Sequence, residues 1–162
     1  MMDFVWQMSG VEWALLGAVS AAIGGGIGSS IGIAAVSGAA TGVVSEDSSK
    51  FGRLLPLAAM PGTQGIYGFI TALLVFIFIG LFEGDPALTA TEGIRVFLSC
   101  LPVAFVCLVS GIYQGVTAIG SVGMVARRDE EAGKALIFPA LVETYAVFSL
   151  ILSVLMLTIV TG

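Results

Sequence analysis

Four apolar stretches, Trp13 to Ser45, Leu54 to Phe82, Val96 to Ala126 and Ala135 to Gly162, make up most of the chain, and the one charged side chain inside them is Glu143. Each exceeds the ~20 residues that cross the hydrocarbon core of a bilayer as a helix. At about 1.5 Å per residue, a helix of about thirty residues reaches ~45 Å against a ~30 Å core, so these helices should project into the headgroups. Strands of a membrane barrel would read as alternating segments of ~10 residues separated by turns, and that punctuation is missing. The pattern predicts an all-α membrane protein with four transmembrane helices, at about 12–45, 52–82, 92–127 and 132–160.

Charge is confined to the joints. Lys50 and Arg53 lie between the first and second spans, and Arg127, Arg128 and Lys134 between the third and fourth. The middle joint, Glu83-Gly84-Asp85-Pro86 and on to Glu92, has only Arg95 beside it. Basic loops are retained in the cytoplasm, which predicts both basic joints inside and both termini outside. Met1 to Glu12 lacks the positive n-region of a secretory signal, and the apolar run behind it is too long for one, so the first span is expected to stay in the membrane.

Composition narrows the function. Of 162 residues, 57% are apolar or aromatic, 6 are Lys or Arg, 11 are Asp or Glu and none is His. Soluble domains carry charge on about a quarter of their residues; the 10% found here argues against a soluble enzyme. With a formal charge of -5 and no basic cluster longer than Arg127-Arg128, the chain lacks the stripe that neutralises phosphates, so no nucleic-acid partner is expected. Cys100 and Cys107, in one apolar stretch, would stand ~10 Å apart along a helix, beyond disulfide reach, and read as small buried side chains.

The two halves read as copies. Gly26-Ile27 and Gly111-Ile112 hold similar places in spans one and three, which sets Ser29 opposite Gln114, and Phe51-Gly52-Arg53 resembles Ala132-Gly133-Lys134. A further slip of two residues sets Gln64 opposite Glu143. The expected organisation is two tandem hairpins, 1–86 and 87–162, in parallel rather than inverted topology.

The 22 glycines are not scattered evenly. Span one has Gly24, Gly28 and Gly32, continued by Gly38 and Gly42, and span three has Gly111 and Gly115. Residues four apart share a helix face, so these stripes let another backbone come close. Spans two and four are dominated by bulky side chains, as a lipid-facing layer would be. Thin helices inside and broad ones outside suit a closed ring of copies; packing within a single four-helix bundle is the other reading of the same stripes. The run Gly24-Gly25-Gly26-Ile27-Gly28 follows no predicted strand and adjoins no basic residue, so no nucleotide site is expected there.

Glu143 begins nine residues after Lys134 and is followed by nineteen more, which puts it well inside the bilayer. An ionisable group at that depth costs at least ~2.5 to 3.5 kcal/mol on insertion scales, and such groups serve an ion or proton path. Span two interrupts its apolar run with Pro61-Gly62-Thr63-Gln64-Gly65-Ile66-Tyr67, and span three holds Ser110, Tyr113 and Gln114. Pro61 and Pro139 have no N–H for the carbonyls of Leu57 and Ala135, so the ladder is loosened beside the acid. Amide oxygens, a hydroxyl, freed carbonyls and one carboxylate form a hard-cation set. One negative charge suits a monovalent cation better than Ca2+ or Mg2+, and Na+ gives the glutamines and the threonine a task that a proton would not. Tyr67 is placed to hold Glu143 closed; Tyr145 points about 200° away from it. Ser110, Tyr113 and Thr144 read equally well as glue between helices.

Met60-Pro61-Gly62-Thr63-Gln64-Gly65-Ile66-Tyr67-Gly68-Phe69, Ser110-Gly111-Ile112-Tyr113-Gln114-Gly115 and Val142-Glu143-Thr144-Tyr145-Ala146 together resemble the proteolipid K (c-ring) subunit of V/A-type ATPases, above all the sodium-transporting bacterial form. The resemblance covers nearly the whole chain. It implies a homo-oligomeric rotor ring whose ions pass a stator a/I-type membrane subunit while central-stalk subunits and an ATPase head turn. It implies Na+ ligands from the side chains of Thr63, Gln64, Gln114 and Glu143 and the Met60 carbonyl, with Tyr67 bonded to the glutamate. This chain departs from relatives that place Lys after Gln114, having Gly115-Val116 there.

Three hypotheses follow. A Na+-carrying ring makes Glu143 an ion carrier and the chain no enzyme on its own; a proton-carrying ring shares the architecture; an independent four-helix transporter would be a monomer or dimer. No nucleophile–base pair supports an enzyme acting alone.

Overall fold

In the computed structural model, which describes residues 8–84 and 86–161, every regular element among the described residues is helical. Helix α1 runs Gly10–Glu46; α2, Phe51–Ala59, and α3, Thr63–Phe78, are joined by a 3₁₀ turn at Met60–Gly62 into the second span. Helix α4 runs Ala90–Arg127, and α5, Ala132–Ala135, leads into α6, Ile137–Thr161, to form the fourth. Four helical runs, Gly10–Glu46, Ser48–Phe78, Ala90–Arg127 and Asp129–Thr161, are long and apolar enough to cross a membrane. Met1 to Gln7, Asp85 of the acidic joint and Gly162 lie outside the described residues.

Both long helices start earlier than the apolar pattern indicates because each is capped. Ser9 and Glu12 form a reciprocal capping box ahead of α1, and Thr89 with Glu92 does the same ahead of α4, each satisfying amides that have no intrahelical partner. The second span ends at Phe78 and not at residue 82. Gly80 takes a left-handed conformation, φ 70°, which closes the helix before the short 3₁₀ turn Leu81–Glu83.

The core is built by α1 lying on α4, with α3 and α6 on the outside. At Gly28 an added Cβ would stand 2.5 Å from the Cys107 carbonyl oxygen, so a side chain there would have to push two backbones apart. Gly24 and Gly32 face the carbonyls of Ala104 and Gly111, and Gly111 and Gly115 face Gly28 and Gly32 in return. With little hydrophobic drive between helices in lipid, close backbone approach supplies the dispersion contacts that hold the pair. Gly38 and Gly42 do not extend this seam: nothing lies within 4 Å of where their side chains would begin. Cys100 and Cys107 are both buried and free.

The tandem register differs from the one expected. Asp47 and Arg128 cap the C-termini of α1 and α4 with the same backbone, φ -143°, ψ 96° and φ -143°, ψ 91°. That register sets Ser29 opposite Ser110 rather than Gln114. Their contacts agree: each hydroxyl bonds the backbone of its own hairpin's outer helix, Ser29 Oγ accepting from Gly65 N at 2.7 Å and Ser110 Oγ donating to Val142 O at 3.1 Å. In the outer helices the buried positions coincide when Pro61 is set opposite Pro139, Gly68 opposite Ala146, Thr71 opposite Ser149 and Val75 opposite Ser153. Glu143 then stands opposite Gly65, one residue beyond Gln64. The first hairpin has the longer loop-side segment, so a single fixed slip cannot align both helices.

The joints between spans one and two and between three and four meet at one end. Lys50 Nζ donates to the Ala126 carbonyl at 2.6 Å and lies 3.8 Å from Asp129, which also pairs with Arg53.

Candidate functional site

Glu143 projects from α6 toward α3 and α4, half-buried, and both carboxylate oxygens accept hydrogen bonds. Tyr67 Oη donates to Oε1 at 2.8 Å and Gln114 Nε2 to Oε2 at 3.2 Å. Gln114 Nε2 also reaches the Pro139 carbonyl at 3.2 Å, and Gln114 Oε1 accepts from Gln64 Nε2 at 2.6 Å. Gln64 Nε2 lies 3.3 Å from Ser110 Oγ. Four spans are thus reduced to three at the centre: span two supplies Gln64 and Tyr67, span three Ser110 and Gln114, span four the acid.

Gln64 and Gln114 are fully buried, and Gln64 Oε1 has no hydrogen-bond partner. An amide oxygen left so in a dry interior costs ~1 to 3 kcal/mol, which makes it an oxygen awaiting a donor or a cation. Next to it in sequence, the Thr63 hydroxyl bonds back to the Met60 carbonyl at 3.1 Å. The 3₁₀ turn Met60–Gly62 results from Pro61, which has no amide hydrogen to continue the α ladder. Around Pro139 the Ala135 carbonyl, deprived of its own partner, accepts from Ser121 Oγ at 2.7 Å.

The structure brings Gln64, Tyr67, Gln114 and Glu143 into one network, with Thr63 and Met60 about one helical turn or less from Gln64 along the chain. Tyr145 and Tyr113 lie outside it, both mostly exposed, and Thr144 bonds back to the Leu141 carbonyl of its own helix. Ser110, which the sequence leaves open between ligand and glue, is part of the network through Gln64 and Val142. Sequence reasoning misses the Pro139 carbonyl as a partner of Gln114; the signal for it is the proline one turn before the acid. Glu143 is the one carboxyl group in this network, among neutral amides, a backbone carbonyl and hydroxyls.

Comparison with known proteins accords with this arrangement. The family of the ATP synthase C subunit matches twice, over residues 16–75 and 97–156. The two matches begin as far apart along the chain as Asp47 and Arg128, which cap α1 and α4. The K subunit of the V-type sodium ATPase of Enterococcus hirae is 38% identical over 157 residues, 96% of this chain and 97% of that protein. The K subunit of the A-type ATP synthase of Methanocaldococcus jannaschii is 35% identical over 148 residues, 91% of this chain and 64% of that protein. The double family match and the near-full-length relative, on a chain of four membrane-length helices, place this multi-pass membrane protein in the family of the ATP synthase C subunit.

Proposed function

We propose that the chain is the rotor-ring subunit of a V/A-type ATPase and that each copy carries one Na+ across the membrane at Glu143, coupled to ATP hydrolysis or synthesis. The observation that supports a cation as cargo is the fully buried Gln64 Oε1, which has no partner beside the Glu143 network. Gln64, Thr63, Gln114 and Glu143 side chains and the Met60 carbonyl are its ligands in this reading. Gln114 presents Nε2 to the carboxylate, so turning its amide end for end would offer Oε1 to the ion and release Gln64 Nε2.

The mechanism follows from the cost of charge in lipid. An empty Glu143 is anionic and expensive to expose to hydrocarbon; a loaded one is neutral and passes. Rotation through lipid is therefore open only to occupied sites. Release needs an opposing charge or a water path, which the stator subunit supplies, because the spans hold no basic residue near Glu143. The membrane potential contributes ~2.3 kcal/mol per charge per 100 mV. Both basic joints face the cytoplasm and the central stalk, with both termini on the opposite side, and lipid covers α3 and α6.

A proton is the second reading, since it needs no ligand beyond the Glu143 carboxyl group itself. Carbodiimide labelling of Glu143 at fixed pH separates them. Slowing by Na+ supports the sodium reading, and indifference to Na+ supports protons. A mass measurement of the intact assembly tests the ring itself; a monomer or dimer would mean an independent transporter.

A further inference from the structure

Several hydroxyls in the spans bond back along their own helix: Ser20 to the Leu16 carbonyl, Thr41 to that of Ser37, Thr117 to that of Tyr113. Bonds of that kind tie nothing to a neighbouring helix. Ser29 and Ser110 reach across instead, and both do so beside the ion network. Ser29 Oγ, on α1, accepts from Gly65 N of α3 at 2.7 Å, and Ser110 Oγ, on α4, donates to Val142 O of α6 at 3.1 Å. Gly65 follows Gln64 in the chain and Val142 precedes Glu143. Each serine therefore grips the backbone one residue away from a side chain of the network.

The two serines start from one level of the α1–α4 seam. A side chain at Gly111, next to Ser110, would begin 2.9 Å from the Ser29 amide nitrogen. The seam is backbone against backbone there, Gly28 on Gly111 and Gly32 on Gly115, which makes it a close-packed rail for the two outer helices. Helix α3 meets this rail at two points. A Cβ at Gly25 would run into the Gln64 carbonyl oxygen, and one at Gly65 would lie 3.2 Å from Ser29 Oγ. The peptide joining Gln64 to Gly65 is thus held from α1, its carbonyl against Gly25 and its N–H on Ser29. Gly65 stands in the opening turn of α3, whose amides have no carbonyl one turn back, so its N–H is free for this bond.

We infer that Ser29 and Ser110 are positioning residues of the ion site, which fix the heights of α3 and α6 on the α1–α4 seam and thereby the height of Gln64 relative to Glu143. Such posts have a physical reason. Lipid is as apolar as the side chains that α3 and α6 turn to the seam, so burial does little to set where the outer helices stop along their axes. One residue of slip moves a side chain ~1.5 Å along the axis and turns it by about 100°. A cation that takes oxygens from Gln64, Gln114 and Glu143 together is lost by such a slip, whereas the carboxyl group keeps its capacity for a proton. The serines therefore govern Na+ binding and leave protonation of Glu143 alone. Ser110 Oγ also lies 3.3 Å from Gln64 Nε2, within the network; Ser29 bonds backbone only, which makes it the cleaner probe.

Their role rests on the sodium reading, and one experiment tells the two failures apart. Full-length chain in native membranes, unmodified or carrying Ser29→Ala, is labelled at Glu143 with carbodiimide, over a pH series without Na+ and over a Na+ series at fixed pH, beside the mass of the intact assembly. Expected for Ser29→Ala is a half-protecting Na+ concentration raised about three- to fifteen-fold, the weight of one hydrogen bond between membrane helices, with pH profile and mass unchanged. Half-protection at the original Na+ concentration overturns the positioning role and leaves the sodium reading standing. A pH profile displaced by the same factor as the Na+ protection also overturns it, because the site is then loosened as a whole. Labelling of the unmodified chain that ignores Na+ removes the sodium reading and the positioning role with it. Should Ser29→Ala fail to accumulate, Ser29→Cys, close in volume and a weaker acceptor, is read against the same outcomes.

Discussion

The phenolic hydroxyl of Tyr67 donates to Glu143 Oε1 at 2.8 Å, joining the outer helix of the first hairpin to the outer helix of the second at the acid itself. A latch of this kind holds the carboxylate against its own chain, so it governs how readily the acid is exposed.

Tyr67→Phe removes that donor and nothing else of similar size. A hydrogen bond to a charged group contributes about 1.5 to 3 kcal/mol, so the closed carboxylate should be less populated by roughly tenfold or more. Carbodiimide labelling of Glu143 is expected to accelerate at fixed pH, with the assembled mass unchanged. An unaltered labelling rate would count against the latch.

Glu143→Gln keeps the shape and removes the carboxylate that the proposed function makes the ion carrier. Transport should be lost while assembly persists, measured by ion flux in reconstituted vesicles beside the intact mass. Coupled transport surviving this change would refute the carrier role.

Gln114→Leu separates Na+ binding from the acid. It deletes a donor to Glu143 and takes from the buried Gln64 amide its 2.6 Å partner, leaving that nitrogen only the longer contact to Ser110 Oγ at 3.3 Å. Carbodiimide should still label Glu143, with protection by Na+ weakened by about tenfold or more. Protection at the original Na+ concentration would remove Gln114 from the ligand set.

Gly28→Val tests the internal seam. Its Cβ would sit 2.5 Å from the Cys107 carbonyl, so the two backbones must separate and the chain should fail to accumulate or unfold at lower temperature. Gly52→Ala, where nothing lies within 4 Å, is the control and should be neutral or gain up to about 1 kcal/mol of helix propensity. Thermal unfolding in detergent reads both.

Span number, the membrane setting and the presence of one acid, Glu143, within the spans were legible in the sequence, because hydropathy and charge are properties of single residues summed along a window. So were the members of the network, Gln64, Tyr67 and Gln114, since polar side chains in an apolar span have few places to go. Their partners were not. That Gln114 divides its donors between Glu143 and the Pro139 carbonyl, and that Gln64 Oε1 is left over, depends on how three helices are rotated against one another.

The sequence by itself determined four spans, two hairpins and one acid in lipid, because the cost of burying charge and unpaired backbone acts locally. Only the tertiary structure decided that Gly24, Gly28 and Gly32 meet the backbone of α4 while Gly38 and Gly42 lie off the seam. Those are matters of register, and register is fixed by where backbone meets backbone across helices distant in the chain, through contacts such as Gly28 on Cys107 that no single window of residues encodes.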